Sequence, residues 1–565
     1  MNQKVSTTRN IFGVILIKLW RIKKELYFIL MNEPIDVHKV FAEYFKGNET
    51  LAYGLSAKLS EGNMCLDIGE YKTELPHRLK EQKSKESFNE KDSVFWAPTQ
   101  DFEKQCEEGI YVTHSASELK PFVIQNGQAY LHRYFQYETQ IIENIRRLGD
   151  NFRIITGGPG TGKTFGVSTN LVQLFSENLN LKVALAAPTG KAAARMNESI
   201  TRFAEDPQNS IDEAVHNRLT GLKAQTIHRL LGYISDSVFF RHNEKNRFPY
   251  DVIIIDECSM VDGAMMAKLL NAIDKHTILY LLGDKDQLAS VEAGSVFGDL
   301  CRVKESELLK GKVEVKTKSW RFEDDKGIGK FSHEVISGNI VHKESYAGDD
   351  QLTIDTTFSR ELFEQYALLY MDYILEDDIK LALQKLNRVR FLCVTRENDL
   401  SVSQVNQQIQ YLLSTRIEGF NPKSEGFYHN QPIIITQNDY QLGIFNGDVG
   451  IIRKEKTNNG EVLFAFFETS DGETKKIQAG YLNNYESVFA MTIHKSQGSE
   501  FDNVVVLLPE KQGGKLLTRE LLYTGVTRAR KKVLLQTSLQ VLEKCVERSV
   551  SRASGLEKRL TTPNN

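Results

Sequence analysis

The residues with the clearest chemical potential form a glycine-rich stretch that could hold phosphate groups. The stretch reads Gly157-Gly158-Pro159-Gly160-Thr161-Gly162-Lys163-Thr164. Glycines let backbone N–H groups close around phosphate oxygens at the positive end of the helix that follows. In such a loop Lys163 reaches the β- and γ-phosphates, and the hydroxyl of Thr164 is a ligand for Mg²⁺. The alternative is a glycine-rich turn without a ligand, so the surrounding sequence has to decide.

A pair of acids further along the chain favours nucleotide hydrolysis. Asp256 and Glu257 directly follow the apolar run Val252–Ile255, and the glycine-rich loop itself follows the predicted strand Arg153–Thr156. In this context Asp256 can hold magnesium, and Glu257 can orient or deprotonate the attacking water. The sequence has neither the NKxD pattern of GTPases nor the LSGGQ pattern of ABC transporters. We therefore expect the chain to bind and hydrolyse ATP with magnesium.

The elements that must position these residues are short apolar runs that alternate with helical segments. Buried strands separated by helices predict parallel sheets with helices on both faces. Two such α/β units are expected, over residues 116–335 and 336–565. The predicted strands are Arg153–Thr156, Lys182–Ala187, Val252–Ile255, Ile278–Leu282, Phe391–Val394, Val504–Leu508 and Val533–Leu535.

A series of β-like segments interrupts the second unit at about residues 425–485. Asn459-Gly460 and Asp471-Gly472 supply the turn chemistry of tight hairpins between the later segments. The pattern predicts a small antiparallel β module. Its candidate strands are Ile433–Thr436, Gly450–Arg453, Val462–Glu468 and Thr474–Gln478.

The residues before the first α/β unit show no catalytic constellation. Residues 32–115 contain enough apolar side chains for a small core, and we interpret them as a docking or scaffold domain. In residues 1–31 the apolar run Ile11–Ile17 is too short to span a bilayer, and no small-residue cleavage site follows it. We interpret residues 1–31 as a dispensable extension, translated from a start upstream of Met31, and expect a cytoplasmic protein without a membrane partner.

The composition sets broad limits on the chemistry. Of 565 residues, 41% are hydrophobic and 26% are charged, which is typical of a globular protein, and the net charge is -3. Near-neutrality does not argue against nucleic acid, because a single basic groove can hold the phosphate backbone. The six cysteines are scattered, without a C-x-x-C pair. This spacing argues against a zinc or iron–sulfur site and favours free thiols in a reducing compartment.

Further polar loops follow the predicted strands, at the edge where parallel sheets bind ligands. Together with the glycine-rich loop they resemble the motif set of superfamily 1 helicases, in the same order, over residues 140–535. Their sequences most resemble those of the RecD family. The resemblance implies an α/β fold of two RecA-like P-loop domains, with a small N-terminal domain and an SH3-like β insertion. The loops are Ala187–Arg195, Thr226–Gly232, Gly283–Leu288, Ser319–Phe322, Thr492–Phe501 and Tyr523–Arg530.

The resemblance also implies roles for single residues at the ATP site. Gln140 corresponds to a glutamine that reads adenine, although a solvated helix position is the alternative. Gln287 corresponds to the residue that senses the γ-phosphate. Arg321 and Arg528 correspond to arginine fingers that reach from the second RecA-like domain across the cleft, and Glu500 to a residue that touches the ribose.

Other loop residues match positions that lie near single-stranded nucleic acid in the family. Hydroxyls and backbone amides there would hold phosphates without reading the base sequence. A purely structural role for the histidines among them stays open. The segment Val238–Pro249 resembles a strand-separating pin, and a plain surface hairpin is the alternative. The predicted DNA-contacting residues are Thr189, Thr226, His228, Thr492 and His494.

Membership of this family would make the chain a 5′→3′ DNA helicase and translocase driven by Mg-ATP. The RecD subunit acts with RecB and RecC on single-stranded DNA at duplex ends, in the exodeoxyribonuclease V complex of recombinational repair. RecB-like and RecC-like subunits are therefore the expected partners. The alternative is a free-standing RecD-like helicase, which usually has a longer N-terminal region. No acidic cluster with lysine at nuclease spacing is present, so nuclease activity would belong to a partner.

Overall fold

The computed structural model describes residues 35–561, except residues 85–87, 236, 398, 424–425, 440, 459, 470–472, 511–513 and 551. The predicted extension at 1–31 and the predicted turn residues Asn459 and Asp471-Gly472 lie outside the described residues. The chain divides into two compact units. One comprises the described residues up to Ser60 together with Leu66–Leu131, and the other comprises Glu61–Cys65 and the residues from His132 onward.

The first unit combines helices with a small sheet of strand order β1-β4-β3-β2. Asn126 and Gly127 both have positive φ and form the tight turn between β3 and β4. The predicted boundary between residues 115 and 116 falls inside this unit, because β3 and β4 complete its sheet. The elements are α1 Val37–Ala42, α2 Glu49–Ser60, β1 Leu66–Asp67, α3 Ile68–Lys83, α4 Thr99–Glu108, β2 Val112–Thr113, β3 Phe122–Gln125 and β4 Gln128–Leu131.

The second unit begins with a six-stranded sheet of order β10-β5-β9-β8-β6-β7, in which neighbouring strands are parallel. We call this part the first motor domain. Its strands are β5 Phe152–Gly157, β6 Val183–Ala187, β7 Ala224–Thr226, β8 Val252–Ile255, β9 Ile278–Gly283 and β10 Val313–Lys316. Its helices are α5 His132–Leu148, α6 Lys163–Glu177, α7 Gly190–Glu205, α8 Glu213–Thr220, α9 Ile227–Leu231, α10 Gly263–Asn271 and α11 Val296–Arg302.

Apolar, largely β-branched strands explain why this sheet is buried between helices. Strand β8 reads Val-Ile-Ile-Ile and is buried along its whole length. Ile155 and Ile254 of the sheet pack with Leu171 of α6 and Met196 of α7 in one core. Each strand ends at the same edge of the sheet, so the polar loops that follow β5, β6, β8 and β9 are brought together there.

A second parallel sheet, of order β11-β20-β19-β12-β18, forms the second motor domain. Its described strands, including those of the insertion, are β11 Leu352–Asp355, β12 Val389–Cys393, β13 Pro432–Ile435, β14 Val449–Thr457, β15 Gly460–Glu468, β16 Thr474–Gln478, β17 Tyr485–Ser487, β18 Ala490–Thr492, β19 Phe501–Leu507 and β20 Ala529–Gln536. Its helices, and the helix that ends the described chain, are α12 Gly327–Ser337, α13 Arg360–Ala367, α14 Met371–Ile374, α15 Ile379–Leu386, α16 Val402–Arg416, α17 Arg519–Val526, α18 Leu539–Glu547 and α19 Leu556–Thr561.

The boundary between the motor domains lies earlier than residue 336. Ile328, Phe331 and Val335 of α12 pack into the same core as Val506 of β19, because the apolar stripe of α12 faces the second sheet. The helix therefore belongs to the second motor domain rather than to the end of the first.

The insertion is an antiparallel sheet of order β16-β15-β14-β13-β17. The four candidate strands are present, and the short strand β17, which the sequence did not indicate, pairs with β13. Ile433, Ile452, Phe467 and Ile477 share its core. Among the described residues, the helices are too short or too polar to cross a lipid bilayer.

Candidate nucleotide and nucleic-acid site

The glycine-rich loop connects β5 to α6, as its sequence predicts. Gly160 and Gly162 have φ near +76° and +75°, a backbone region that favours glycine. A Cβ atom on Gly160 would lie 2.5 Å from the Cβ of Arg321, so a side chain has no room there. The Lys163 ammonium donates to the carbonyl oxygen of Gly157 at 2.6 Å. The loop is thus narrow, and its lysine points into it.

Local hydrogen bonds hold the other loop residues. Thr161 is buried and its hydroxyl donates to the carbonyl oxygen of Gly158 at 2.8 Å. Pro159 accepts a hydrogen bond from the Ser319 hydroxyl at 3.1 Å. Thr164 is the second residue of α6, directly after the loop. Backbone amides and the Thr164 hydroxyl are the groups that can surround phosphates and a cation.

Asp256 and Glu257 follow β8 at the same edge of the sheet. Glu257 has a φ of +54°, which is rare for a residue with a side chain and is often found at functional sites. Its N–H donates to Oδ1 of Asp256 at 2.8 Å. Burial and the neighbouring charge of Glu257 raise the pKa of Asp256, and the positive charge of Lys163 opposes that shift. The acids and the phosphate-loop lysine therefore act on one another electrostatically.

The loop after β9 joins the two motor domains. Asp284 is buried and accepts hydrogen bonds from Nε2 of Gln287 at 3.0 Å and from the hydroxyl of Tyr523 at 2.8 Å. The N–H of Leu288 donates to the hydroxyl of Thr524 at 2.9 Å. Tyr523 and Thr524 belong to α17 of the second motor domain. Sequence reasoning singled out Gln287 but missed Asp284 and Tyr523, because their contact joins two motifs that are 239 residues apart.

Arg321 does not come from the second motor domain, which corrects the prediction. It follows β10, which pairs in parallel with β5 and so carries the chain to the phosphate loop. The N–H of Trp320 donates to the carbonyl oxygen of Gly160 at 2.8 Å. Trp320 itself is 77% exposed beside Gly162. Sequence reasoning also missed this exposed aromatic side chain at the loop.

Glu500 is bonded to several arginines. Its carboxylate accepts from Nη2 of Arg321 at 2.8 Å, from Nε of Arg530 at 3.1 Å and from Arg195 of the first motor domain. Burial alone would raise the pKa of Glu500, but Arg195 and Arg321 hold that pKa well below its ordinary value. Arg195 and Arg530 were missed as site residues, and a ribose contact of Glu500 stays a prediction.

Arg528 lies in the cleft and belongs to the second motor domain. It is buried, and its guanidinium donates to the carbonyl oxygens of Thr524 at 3.1 Å and Ser499 at 3.3 Å. Burial lowers the pKa of Arg528, and the negative charge of Glu257 is the largest influence against that shift. The charges of Arg528 and Glu257 therefore influence one another, and the role of Arg528 as an arginine finger stays a prediction.

The side chain of Gln140 is bonded to a neighbouring helix. It lies on α5, and its side-chain oxygen accepts a hydrogen bond from Asn271 at 3.0 Å. Within the described part of the chain, its side chain is bonded to α10 rather than to the phosphate loop. Adenine recognition by Gln140 remains a prediction.

The predicted DNA-contacting threonines lie at the carboxyl ends of strands in both motor domains. The hydroxyl of Thr189, after β6, accepts from the N–H of Ala192 at 3.2 Å, and that of Thr226, at the end of β7, accepts from Arg229 at 3.3 Å. Thr492 ends β18 and accepts from the N–H of Lys495 at 3.2 Å. The three hydroxyls therefore stabilise local turns of their loops, and contact of these loops with DNA stays a prediction.

The two predicted histidines differ in their surroundings. His228 is exposed and lies edge-on to Phe240 at 5.8 Å between ring centroids. His494 is partly buried, and burial lowers its pKa, with a smaller contribution from the charge of Arg552. Near His228, the hairpin-like segment exposes Val238 and Phe239, at 71% and 74%. A strand-separating role for this segment stays a prediction.

Comparison with known proteins agrees with this geometry. Residues 140–293 match the family described as an AAA domain, and residues 487–536 match the UvrD-like helicase C-terminal domain. The RecBCD enzyme subunit RecD of Mycolicibacterium smegmatis is 39% identical over 73% of this chain and 73% of its own length. The RecBCD enzyme subunit RecD of Haemophilus influenzae is 30% identical over 96% of this chain and 97% of its own length.

A third relative is longer than this chain. The ATP-dependent RecD2 DNA helicase of Deinococcus radiodurans is 31% identical over 68% of this chain and 46% of its own length. The two RecD subunits, by contrast, match over most of both lengths. The chain therefore belongs to the RecD family of DNA helicases.

Proposed function

We propose that this chain is the ATP-driven 5′→3′ helicase subunit of a RecBCD-type complex that processes double-strand DNA ends. The observation that carries the proposal is the contact of the Gln287 loop with α17. Asp284 binds Tyr523 and Leu288 binds Thr524, so the loop beside the phosphate site is held by the second motor domain. A change at the nucleotide can thereby change the relative position of two domains that both carry DNA-facing loops.

Mg-ATP fits the residues at the cleft. Nη1 of Arg321 and Oε1 of Gln287 are buried and have no hydrogen-bond partner among the described residues. Buried polar atoms of this kind are usually satisfied, so both indicate a ligand. Lys163 would hold the β- and γ-phosphates, and Thr164 and Asp256 would hold magnesium. The face of Trp320 could stack on the base.

The bound nucleotide supplies a phosphoanhydride bond, and the residues of the chain promote its hydrolysis. Glu257 accepts the proton of the attacking water at its carboxylate, next to Asp256. The guanidinium of Arg528 neutralises charge that develops on the transferred phosphoryl group. Arg321 does the same through Nη1, while its Nη2 stays bonded to Glu500. An arginine in this role typically contributes about 10³–10⁵ in rate, or about 4–7 kcal/mol.

The DNA path would run along the strand ends that carry Thr189, Thr226 and Thr492. We infer that the antiparallel insertion is the SH3-like module that closes over this path. In support, the guanidinium of Arg229, on α9, lies 5.7 Å from the ring centroid of Phe445 in the insertion. The 5′→3′ direction is the direction expected of this family.

RecB-like and RecC-like subunits are the proposed partners, and the cytoplasm the proposed compartment. The chain matches nearly the full length of one RecD subunit but less than half of the RecD2 helicase. The match to the Haemophilus influenzae RecD subunit over nearly the whole of both chains supports the proposal of a complex subunit. The first unit has no catalytic constellation among its described residues, and it exposes Ile110 and Leu119 at 70% and 79%. We propose this unit as the docking domain.

Co-expression of this chain with RecB- and RecC-like chains, followed by size-exclusion chromatography, tests the partnership. A stoichiometric complex is expected. The double variant Ile110→Glu/Leu119→Glu should dissociate from it, and the control Leu375→Glu, which changes a side chain that is 65% exposed in the second motor domain, should not. If the unmodified chain never co-elutes with the partners but unwinds DNA alone, the free-standing helicase is the correct alternative.

A further inference from the structure

The end of the described chain crosses from the second motor domain back to the first. Val541 and Leu542 of α18 pack in the core of the second motor domain. Val550 still contacts that domain, because its N–H donates to Oε2 of Glu520 at 2.9 Å. From Arg552 onward the chain contacts the first motor domain. We call residues 552–561 the C-terminal strap.

Arg552 attaches the strap to the loop that follows the Gln287 motif. Its guanidinium donates to the backbone carbonyl oxygens of Ser290 and of Glu292, the latter at 3.1 Å. The carbonyl oxygen of Ala553 accepts from the N–H of Met64 at 2.9 Å. An arginine that bonds two carbonyls of one turn fixes the conformation of that turn, because both bonds have to be satisfied at once.

The next residues of the strap are bonded to buried acids of the first motor domain. Glu138 and Asp299 are 0% and 1% exposed. The N–H of Gly555 donates to Oε1 of Glu138 at 2.8 Å, and the hydroxyl of Ser554 donates to Asp299. Leu556 is fully buried, so an apolar contact adds to these polar ones. Polar and apolar contacts therefore both hold the strap against the first motor domain.

The strap leaves little freedom between the motor domains. One residue separates Val550, bonded to the second domain, from Arg552, bonded to the first, so their Cα atoms can be at most about 7 Å apart. The chain between β10 and α12 already joins the same domains. This second connection restrains how far the two domains can separate beside Arg552. The carbonyl of Ser290, which Arg552 bonds, lies three residues beyond Gln287.

We propose that Arg552 is a positioning residue for the Gln287 loop, and that the strap provides the pivot through which ATP hydrolysis moves the DNA strand. With the strap in place, closure of the cleft displaces the loops of the second motor domain by a fixed amount. With a slack strap, hydrolysis continues but the displacement varies, so fewer base pairs are opened per ATP. The inference rests on the helicase function proposed above.

A linker insertion tests the pivot without removing a contact. A flexible Gly/Ser linker of roughly six residues, placed directly after Val550 in the full-length chain, adds about 13 Å of reach and keeps Arg552 available for docking. We expect DNA-stimulated ATP turnover within about twofold of the unmodified chain and about fivefold fewer base pairs unwound per ATP. The same linker between the exposed Lys304 and Glu305 is the matched control and should leave the ratio unchanged.

Point variants test the attachment itself. Arg552→Ala should lower the ratio of base pairs to ATP as the linker does, and Arg552→Lys, which keeps one donor group, should recover part of it. Unchanged ratios in the linker variant and in Arg552→Ala would overturn the inference. A parallel loss of ATP turnover and unwinding, with a lower melting temperature, would also overturn it in favour of a merely structural strap. An unmodified chain that hydrolyses ATP without unwinding DNA would instead overturn the helicase proposal, and this inference with it.

Discussion

The hydrogen bond between Tyr523 and Asp284 allows a quantitative prediction about the contact between the motor domains. Tyr523→Phe removes one hydroxyl donor, which lies 2.8 Å from a buried carboxylate, and changes no other atom. Asp284 keeps Nε2 of Gln287 at 3.0 Å and the N–H of Asp286 at 3.1 Å. A hydrogen bond to a charged group contributes about 1.5–3 kcal/mol, which corresponds to a factor of about 10–150 in an equilibrium constant.

If ATP hydrolysis requires this contact between the motor domains, loss of the hydrogen bond lowers the rate of ATP turnover. We expect kcat for DNA-stimulated ATP hydrolysis to fall by about tenfold or more in Tyr523→Phe, measured well below the melting temperature so that the fold is intact. Tyr481→Phe, which changes a tyrosine that is 64% exposed, is the matched control and should retain full activity. Wild-type kcat in Tyr523→Phe, with an unchanged melting temperature, would refute the argument that this contact couples the domains.

Three further predictions follow from the site and its surroundings. Lys163→Gln should abolish ATP hydrolysis and leave the circular dichroism spectrum unchanged, because only the counter-charge of the phosphates is lost; normal turnover would contradict the phosphate-loop assignment. Arg528→Ala should still bind a fluorescent ATP analogue but hydrolyse ATP about a hundredfold more slowly or worse, because the guanidinium acts on the transition state; lost binding with an unchanged maximal rate would make Arg528 a ground-state ligand. Burial, only partly offset by Arg302 and Ser554, raises the pKa of Asp299 to about 7. The folded state therefore binds this proton more tightly than the unfolded state, so unfolding free energy falls as pH rises from about 4 to 7. Asp299→Asn should flatten that slope and raise the melting temperature at pH 8; a lower melting temperature at pH 8 would show that the ionised carboxylate stabilises the fold.

Local sequence patterns predicted where the glycine-rich loop and the paired acids lie in the fold, because the residues concerned are neighbours in the chain. The phosphate loop lies between β5 and α6, and the acids follow β8, where alternating strands and helices predict them to be. A run such as Val-Ile-Ile-Ile permits little besides a buried strand, and the polar residues after it must then lie at the carboxyl edge of the sheet.

The same local patterns could not predict side-chain contacts between motifs that lie far apart in the sequence. The partner of Asp284 is 239 residues away, and Glu500 pairs with Arg195 and Arg321 from distant motifs. The resemblance assigned Arg321 to the second domain, although the predicted first unit at 116–335 contains it, and no local signal shows that β10 returns to the edge of the first sheet beside β5. The first unit extends to Leu131, past the predicted boundary at residue 115. The short strands β3 and β4 gave no local signal that they pair with strands of the first unit.

Strand displacement on tailed duplexes bears most directly on the assignment of this chain as an ATP-driven 5′→3′ DNA helicase. Two duplexes of the same sequence are compared, one with a single-stranded 5′ tail and one with a single-stranded 3′ tail, with magnesium and with or without ATP. We predict that only the 5′-tailed duplex is unwound, only with ATP, and not by Lys163→Gln. Preferential unwinding of the 3′-tailed duplex, or strand separation that does not need ATP, would contradict the assignment.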